Sequence, residues 1–206
     1  MSHFIYKQLL LKHIKTINSL FPLEKIQIIN NELLVIVHKS YLLDLLLFFK
    51  LNVNCQYKVL TLITASDYPL KKKRFEVIYE LLSLNYNQRL RIKVYLHELE
   101  SLPSCETVFP AANWYEREVW DLFGIFFSNH SDLRRILTDY GFEGYPLRKD
   151  FPLTGYTEVR YSDTLKRVVN ENLELAQEYR TFDFLSPWSA SRSELNNFQK
   201  YTVLNK

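Results

Sequence analysis

The amino-acid sequence predicts an α+β fold. Its order is helix, hairpin, helix and three strands around a mixed or antiparallel sheet, followed by a long extended C-terminal tail. Three features carry this prediction. Apolar residues recur at helical spacing near the start of the chain and again just before Gly124. Between those stretches they alternate with charged residues over two strand-length runs. After Gly124 the regular patterning fades, which divides the chain into a domain over 1–124 and a tail over 125–206.

Leu10, Ile14, Ile17 and Phe21 stand i, i+4, i+7 and i+11, one apolar stripe on a helix from Phe4 to Leu20 that ends before Pro22. Lys25 to Ile28 and Leu33 to Val37 flank Asn30 and Asn31. Asn tolerates the positive φ of tight turns, so this pair reads as a β-hairpin. Ser40 is the expected N-cap of a second helix running to about Phe49, with Asp44 near its positive end. A strand from Tyr57 to Thr64 follows, closed by Asp67, Tyr68 and Pro69.

The clearest hairpin comes next. Phe75, Val77, Tyr79 and Leu81 alternate with Glu76 and Glu80, and Leu90, Ile92, Val94 and Leu96 alternate with Arg91 and Lys93. One face is then apolar, and on the other the acids of one strand oppose the bases of the next. A third helix from Thr107 to Phe123 places Ala112, Tyr115, Val119 and Leu122 on one face and sets Arg117 and Asp121 i, i+4 for pairing. Gly124 stops it. In the tail, Thr157 to Tyr161 reads as a short strand and Val168 to Tyr179 as a helix, with Val169, Leu173 and Ala176 at helical spacing.

Composition limits the function classes. In 206 residues, 47% are hydrophobic and 15% aromatic, enough for a real core and against wholesale disorder. A net charge of +3 with 24% charged residues is too balanced for a nucleic-acid partner, and Lys71-Lys72-Lys73-Arg74 reads as a solvated loop. Cys55 and Cys105 are far too few for an iron–sulfur or zinc ligand set, which takes about four ligands. They read as buried thiols of a reducing compartment, with a disulfide left open. The longest apolar run, Tyr41 to Val53, is broken by Asp44 and Lys50 and falls short of the roughly twenty residues of a membrane span. Membrane association is therefore expected only through a partner. Met1 to Phe21 carries Lys7, Lys12 and Lys15 but no Arg, unlike a transit peptide, and the Leu-, Ile-, Asn- and Lys-rich composition suits an AT-rich organelle genome.

The stretch from Trp114 to Tyr161 holds all four glycines and two of the three tryptophans, with acids and bases interleaved among aromatics. It has few apolar runs of its own and reads as surface shaped to lie against something else. Trp114-Tyr115-Glu116-Arg117-Glu118, Asp121-Leu122-Phe123-Gly124, His130, Asp132 to Phe142, Gly144, Pro146 to Leu153 and Gly155 together resemble the signature of one family. This is the respiratory complex I subunit named for a mass of about thirty kilodaltons, in its mitochondrial form. Arg180 to Phe184 and Ser186-Pro187-Trp188 resemble the far end of the same family, while Tyr145 stands where relatives often carry His.

The resemblance implies a cofactor-free structural subunit of the peripheral arm of proton-pumping NADH:ubiquinone oxidoreductase, on the matrix side of the inner mitochondrial membrane. It implies partners as well: the large quinone-site subunit of the 49 kDa type and the neighbouring iron–sulfur subunit. Catalysis would belong to the assembly. The same fold family also serves NDH-type and hydrogenase-type complexes, so the electron donor stays open.

The residues themselves offer little chemistry. No glycine-rich phosphate loop, nucleophile elbow or H-E-x-x-H occurs. Glu118 and Asp121, i, i+3 on a helix, could join His130 in a metal site of a stand-alone enzyme, although Glu116-Arg117-Glu118 and Asp121 alternate in sign as salt-bridging residues do. Arg134 and Arg135 between Asp132 and Asp139, followed by Tyr140, Arg148, Lys149 and Asp150, suit bidentate and aromatic contacts across a protein–protein interface. With Glu116, Arg117, Glu118, Asp121 and His130, they form the expected partner surface. Internal ion pairing that folds the tail onto its own domain is the alternative for each.

Overall fold

A computed structural model describes residues 14, 17–29, 32–177, 179, 180 and 182. Most of the expected first helix and the Asn30–Asn31 turn lie outside them. Residues 17–20 are helical, and Ile14 and Ile17 are buried in the core as the stripe predicts.

Strands β1 (Leu23–Ile29) and β2 (Glu32–Val37) pair antiparallel. A 3-10 turn (Lys39–Tyr41) leads into helix α1 (Leu42–Leu51). Strands β3 (Val59–Asp67), β4 (Phe75–Ser83) and β5 (Gln88–Leu96) follow as a meander. The five-stranded sheet has the order β1-β2-β5-β4-β3, antiparallel throughout except for the parallel β2–β5 pair. A parallel neighbour cannot be reached by a tight turn. Here the crossover runs through α1, β3 and β4.

Alternation decides which sheet face is buried. Phe75, Val77, Tyr79 and Leu81 meet Leu90, Ile92, Val94 and Leu96 on one face, all essentially inaccessible. Leu42, Leu45, Leu46 and Phe49 of α1 close over that core, together with Ala112, Val119 and Phe123 of a later helix, α2 (Ala112–Phe123). Each such side chain contributes roughly 1.5–3 kcal/mol on burial. On the opposite face Arg91 pairs with Glu80 and Lys93 with Glu76, the expected cross-strand ion pairs.

Packing also runs past residue 124. Ile125 and Phe127 are buried, and β7 (Phe127–Ser128) pairs in parallel with β6 (Leu102–Pro103).

Four expectations shift. Ser40 does not cap the second helix: it lies inside the 3-10 turn, where His38 Nδ1 accepts its N–H at 3.4 Å, and Tyr41 holds the N-cap position of α1 without a side-chain cap. Helix α2 begins at Ala112 because Val108 and Phe109 fold back as a separate turn on the Cys105 carbonyl. Arg117 and Asp121 do not pair with each other, because each is engaged by the chain beyond Gly124. Val168 to Tyr179 is not a helix: β9 (Arg167–Asn172) pairs antiparallel with β8 (Thr157–Ser162). The β-branched pair Val168-Val169 and the asparagines beside it favour that outcome over a helix.

Candidate interaction surface

Helix α2 is the pivot between the sheet and everything after it. Gly124 ends it at φ +75°, a left-handed conformation open to glycine, and a Cβ there would lie 2.6 Å from the Tyr145 ring. Chain reversal and close approach both require glycine at this position.

Two acids of α2 point inward. The Glu116 carboxylate accepts the Ser104 hydroxyl at 2.6 Å and the Cys105 N–H at 2.7 Å, and burial raises its pKa against those bonds. His130 is also enclosed, with Nε2 at 3.1 Å from the Asn113 carbonyl and Nδ1 accepting the Asp132 N–H at 3.0 Å. Asp121 organises the following loop. Its Oδ2 accepts the N–H groups of Ile136, Leu137 and Thr138 at 3.2, 2.8 and 2.9 Å, and its Oδ1 accepts the Thr138 hydroxyl at 2.6 Å. Burial would raise this carboxyl, but these bonds together hold it below the usual range.

The bases complete the weld. Arg135 lies 3.4 Å from Asp121 and donates to the Gly144 carbonyl at 3.0 Å. Arg148 donates to the Phe123 carbonyl and to Glu98, both at 2.7 Å. Their guanidinium groups lie 5.1 and 4.6 Å from the Tyr145 ring centre. Arg74 binds Asp67 through two bonds at 2.7 and 3.0 Å and reaches Asp150 at 3.0 Å, while the Lys149 N–H donates to Asp67 at 2.8 Å.

These contacts divide the expected partner residues. Glu116 and Asp121 are fully buried and hold the chain's own backbone, so the expectation that they face a partner is corrected. His130 is likewise enclosed. Arg117 is nearly buried, stacked on Trp114 and donating to the Arg134 carbonyl at 3.2 Å, and Arg135 and Arg148 serve mainly internal pairing. Arg134, Asp139, Tyr140, Lys149 and Asp150 face outward, and Glu118 is half-buried.

The apolar part of this surface is larger than the charged residues suggest. Phe126, Leu137, Tyr140, Leu147, Leu153, Tyr156, Val159, Tyr161 and Val168 are all exposed, Tyr140 completely. The β8–β9 ribbon pairs with no third strand among the described residues, and one of its faces carries Val159, Tyr161 and Val168. The alternation of Thr157, Val159 and Tyr161 was a readable signal for that face. Assigning Val168 to a helix hid its cross-strand partner, Tyr161.

Asp121 and His130 spend their donors and acceptors internally. Among the described residues no group of three His, Cys, Asp or Glu side chains is placed to hold a metal ion. Cys55 and Cys105 are buried thiols not joined in a disulfide, Cys55 pushed up to about 11 by burial and Cys105 raised by burial and by Glu116. A cleft of about 370 Å³ is lined by Lys39, Ser40, Leu43, Asp44, Ser101, Pro103 and Ser128, but its lysine is paired with Glu100 at 3.1 Å. No described helix is long and apolar enough to cross a membrane.

Comparison with known proteins places this arrangement. Residues 35–157 match a family model described as respiratory-chain NADH dehydrogenase, 30 Kd subunit. NADH-ubiquinone oxidoreductase subunit 9 of Reclinomonas americana is 58% identical over 157 residues, covering 76% of this chain and 77% of that protein. An NADH-quinone oxidoreductase subunit from Chelativorans sp. is 55% identical over 161 residues, covering 78% and 80%. Among solved structures, a chain of the membrane-bound sulfane sulfur reductase, an archaeal respiratory membrane complex, superposes with a TM-score of 0.59 at 27% identity, covering 69% of this chain and 85% of that one.

Proposed function

The chain belongs to the family of the respiratory-chain NADH dehydrogenase 30 kDa subunit. From that membership we propose that it is a structural subunit of the peripheral arm of NADH:ubiquinone oxidoreductase, with no redox centre or active site of its own. It sits on the matrix side of the inner mitochondrial membrane and reaches the membrane only through the complex. The sheet domain is the anchor, and the segment from about residue 126 onward lies along its partners. These are the large quinone-site subunit and the adjacent iron–sulfur subunit. Electron transfer and quinone entry depend on fixed distances, and a rigid chain without cofactors helps by holding the redox subunits in register.

One observation carries this reading: the exposed apolar and aromatic strip from Phe126 through the β8–β9 ribbon, held in shape by buried charges. Large apolar and aromatic side chains exposed in this number along one segment are what a protein–protein contact would bury. A two-stranded ribbon alone is at best marginally stable in water and gains most by packing on another surface. The chain's two buried thiols offer no cluster ligands, which supports leaving electron transfer to its neighbours.

The archaeal neighbour belongs to a sulfane sulfur reductase, so the fold alone does not fix the electron donor. The test is native isolation from gently solubilised membranes through a tag on this chain, with an assay for NADH-dependent quinone reduction. A large assembly with that activity is expected. An assembly active with another donor would keep the structural role and replace the donor. A lone chain without partners would overturn the reading.

A further inference from the structure

Helix α2 carries two side chains, three residues apart and so on one face, whose pairing the chain leaves incomplete. Trp114 is 65% exposed, and the Arg117 guanidinium lies 4.9 Å from its ring centre. Arg117 itself is only 7% exposed. A charge at that depth is costly unless an opposite charge meets it. Its Nε donates to the Arg134 carbonyl at 3.2 Å, yet it forms no ion pair among the described residues. The neighbouring acids are engaged elsewhere or face away. Glu116 turns inward to Ser104 and Cys105, and Asp121 holds the N–H groups of 136–138 beside Arg135. Asp132 pairs with Arg134 at 2.9 Å, and Glu106 accepts from Asn113 and Ser131. Glu118 is the next residue along and does not share the Arg117 face. Among the described residues only Tyr79 and Ser83 hold enclosed side-chain polar atoms without a partner, so the terminal nitrogens of Arg117 reach the surface beside Trp114.

We propose that Trp114 and Arg117 receive a carboxylate-bearing segment of a partner subunit, an Asp or Glu side chain pairing with Arg117 while its surroundings cover the indole. This rests on the subunit role proposed above and names the chemistry of one contact within it. A guanidinium is a planar fork that matches a carboxylate with two parallel bonds. Here it is already oriented, by a carbonyl on one nitrogen and an aromatic ring beside it, so little side-chain freedom is lost on contact. The cation is buried without a counter-charge in the chain, and an incoming carboxylate supplies one. An amide or hydroxyl would not. Trp and Arg are also the residue types in which binding energy concentrates, and an indole over the pair keeps water from it.

The experiment compares the purified full chain with the same tagged chain in its native complex. Trp114 oxidation by hydroxyl radicals, read by mass spectrometry, is expected in the isolated chain and lost in the complex. Arg117→Met, similar in size but uncharged, should leave the urea midpoint of the isolated chain at or above wild type, because it removes an unpaired buried charge. In the complex the same variant should leave roughly 30-fold faster, the effect of removing one partner of a desolvated ion pair. Arg117→Lys keeps the charge but not the fork, and its release should fall between the two. Undiminished Trp114 oxidation in the complex, a lowered midpoint for Arg117→Met, or release of that variant at the wild-type rate would each overturn the proposal. Each of these leaves the subunit role standing, since the wild-type complex is in hand. A wild-type chain that enters no complex would overturn both.

Discussion

Asp121 and Glu116 lie five residues apart on one helix, both without solvent contact, and burial affects them with opposite outcomes. Asp121 is surrounded by donors that favour its charge, so its neutral counterpart Asn would leave backbone N–H groups and Arg135 poorly satisfied. Asp121→Asn is expected to cost about 3 kcal/mol in urea unfolding. Arg134→Glu, on a side chain that is 70% exposed, should leave stability unchanged. Glu116 is held by Ser104 and Cys105 and lies 3.9 Å from His130, but burial outweighs these and raises its pKa above the usual 4.5. The native state therefore holds a proton that the unfolded chain has released, and stability falls as pH rises from 4.5 through the raised folded value. Asp67 and Asp121, both lowered from 3.8, act in the other direction: their stabilisation is present above 3.8 and lost as pH falls through their depressed values. Unfolding measured against pH should show the upper slope flattened in Glu116→Gln, with the acid limb kept. Sequence showed that these acids share a helix with Arg117. It could not show which backbone each would hold, because the loop at 136–138 meets Asp121 only after the chain has turned at Gly124.

At the level of elements, local pattern was enough wherever burial has a regular period. The β4–β5 hairpin, with its apolar face and ion-paired face, follows from alternation alone, and so does the end of α2 at its glycine. Pattern failed for β9. That ribbon is covered on neither face among the described residues, so Val168 and Val169 are not selected by a core and the helical spacing of Val169, Leu173 and Ala176 carried no weight. The start of α2 was missed for another reason: the turn at Cys105 competes with the helix for the same residues. Gly124 gives a sharp test at this scale. Gly124→Ala must adopt a left-handed conformation, costing roughly 1–2 kcal/mol, and must also displace the Tyr145 ring. Its loss in urea unfolding should exceed the conformational cost alone. Gly141→Ala, with a similar φ and open space around it, should pay the conformational cost only.

The whole molecule joins two kinds of surface. One sheet face and the helices over it close a core. The segment after Phe127 is pinned to that core by Asp121, Arg135, Arg148 and Lys149 and leaves Leu137, Tyr140, Leu147, Leu153, Tyr156 and Val159 exposed. Sequence drew attention to the charged residues of this segment, since charged pairs are conspicuous in a sequence, and in the structure most of them hold the segment in place. The outward side chains are the ones the proposed role assigns to contact with the rest of a complex. The most direct measurement is assembly of a chain carrying Tyr140→Glu, Leu153→Glu and Val159→Glu, scored as the fraction recovered in the high-mass native complex, with the unfolding midpoint of the isolated variant as control. An unchanged midpoint with assembly largely lost is the expected result. Unchanged assembly at an unchanged midpoint would contradict the assignment of the strip as the contact surface.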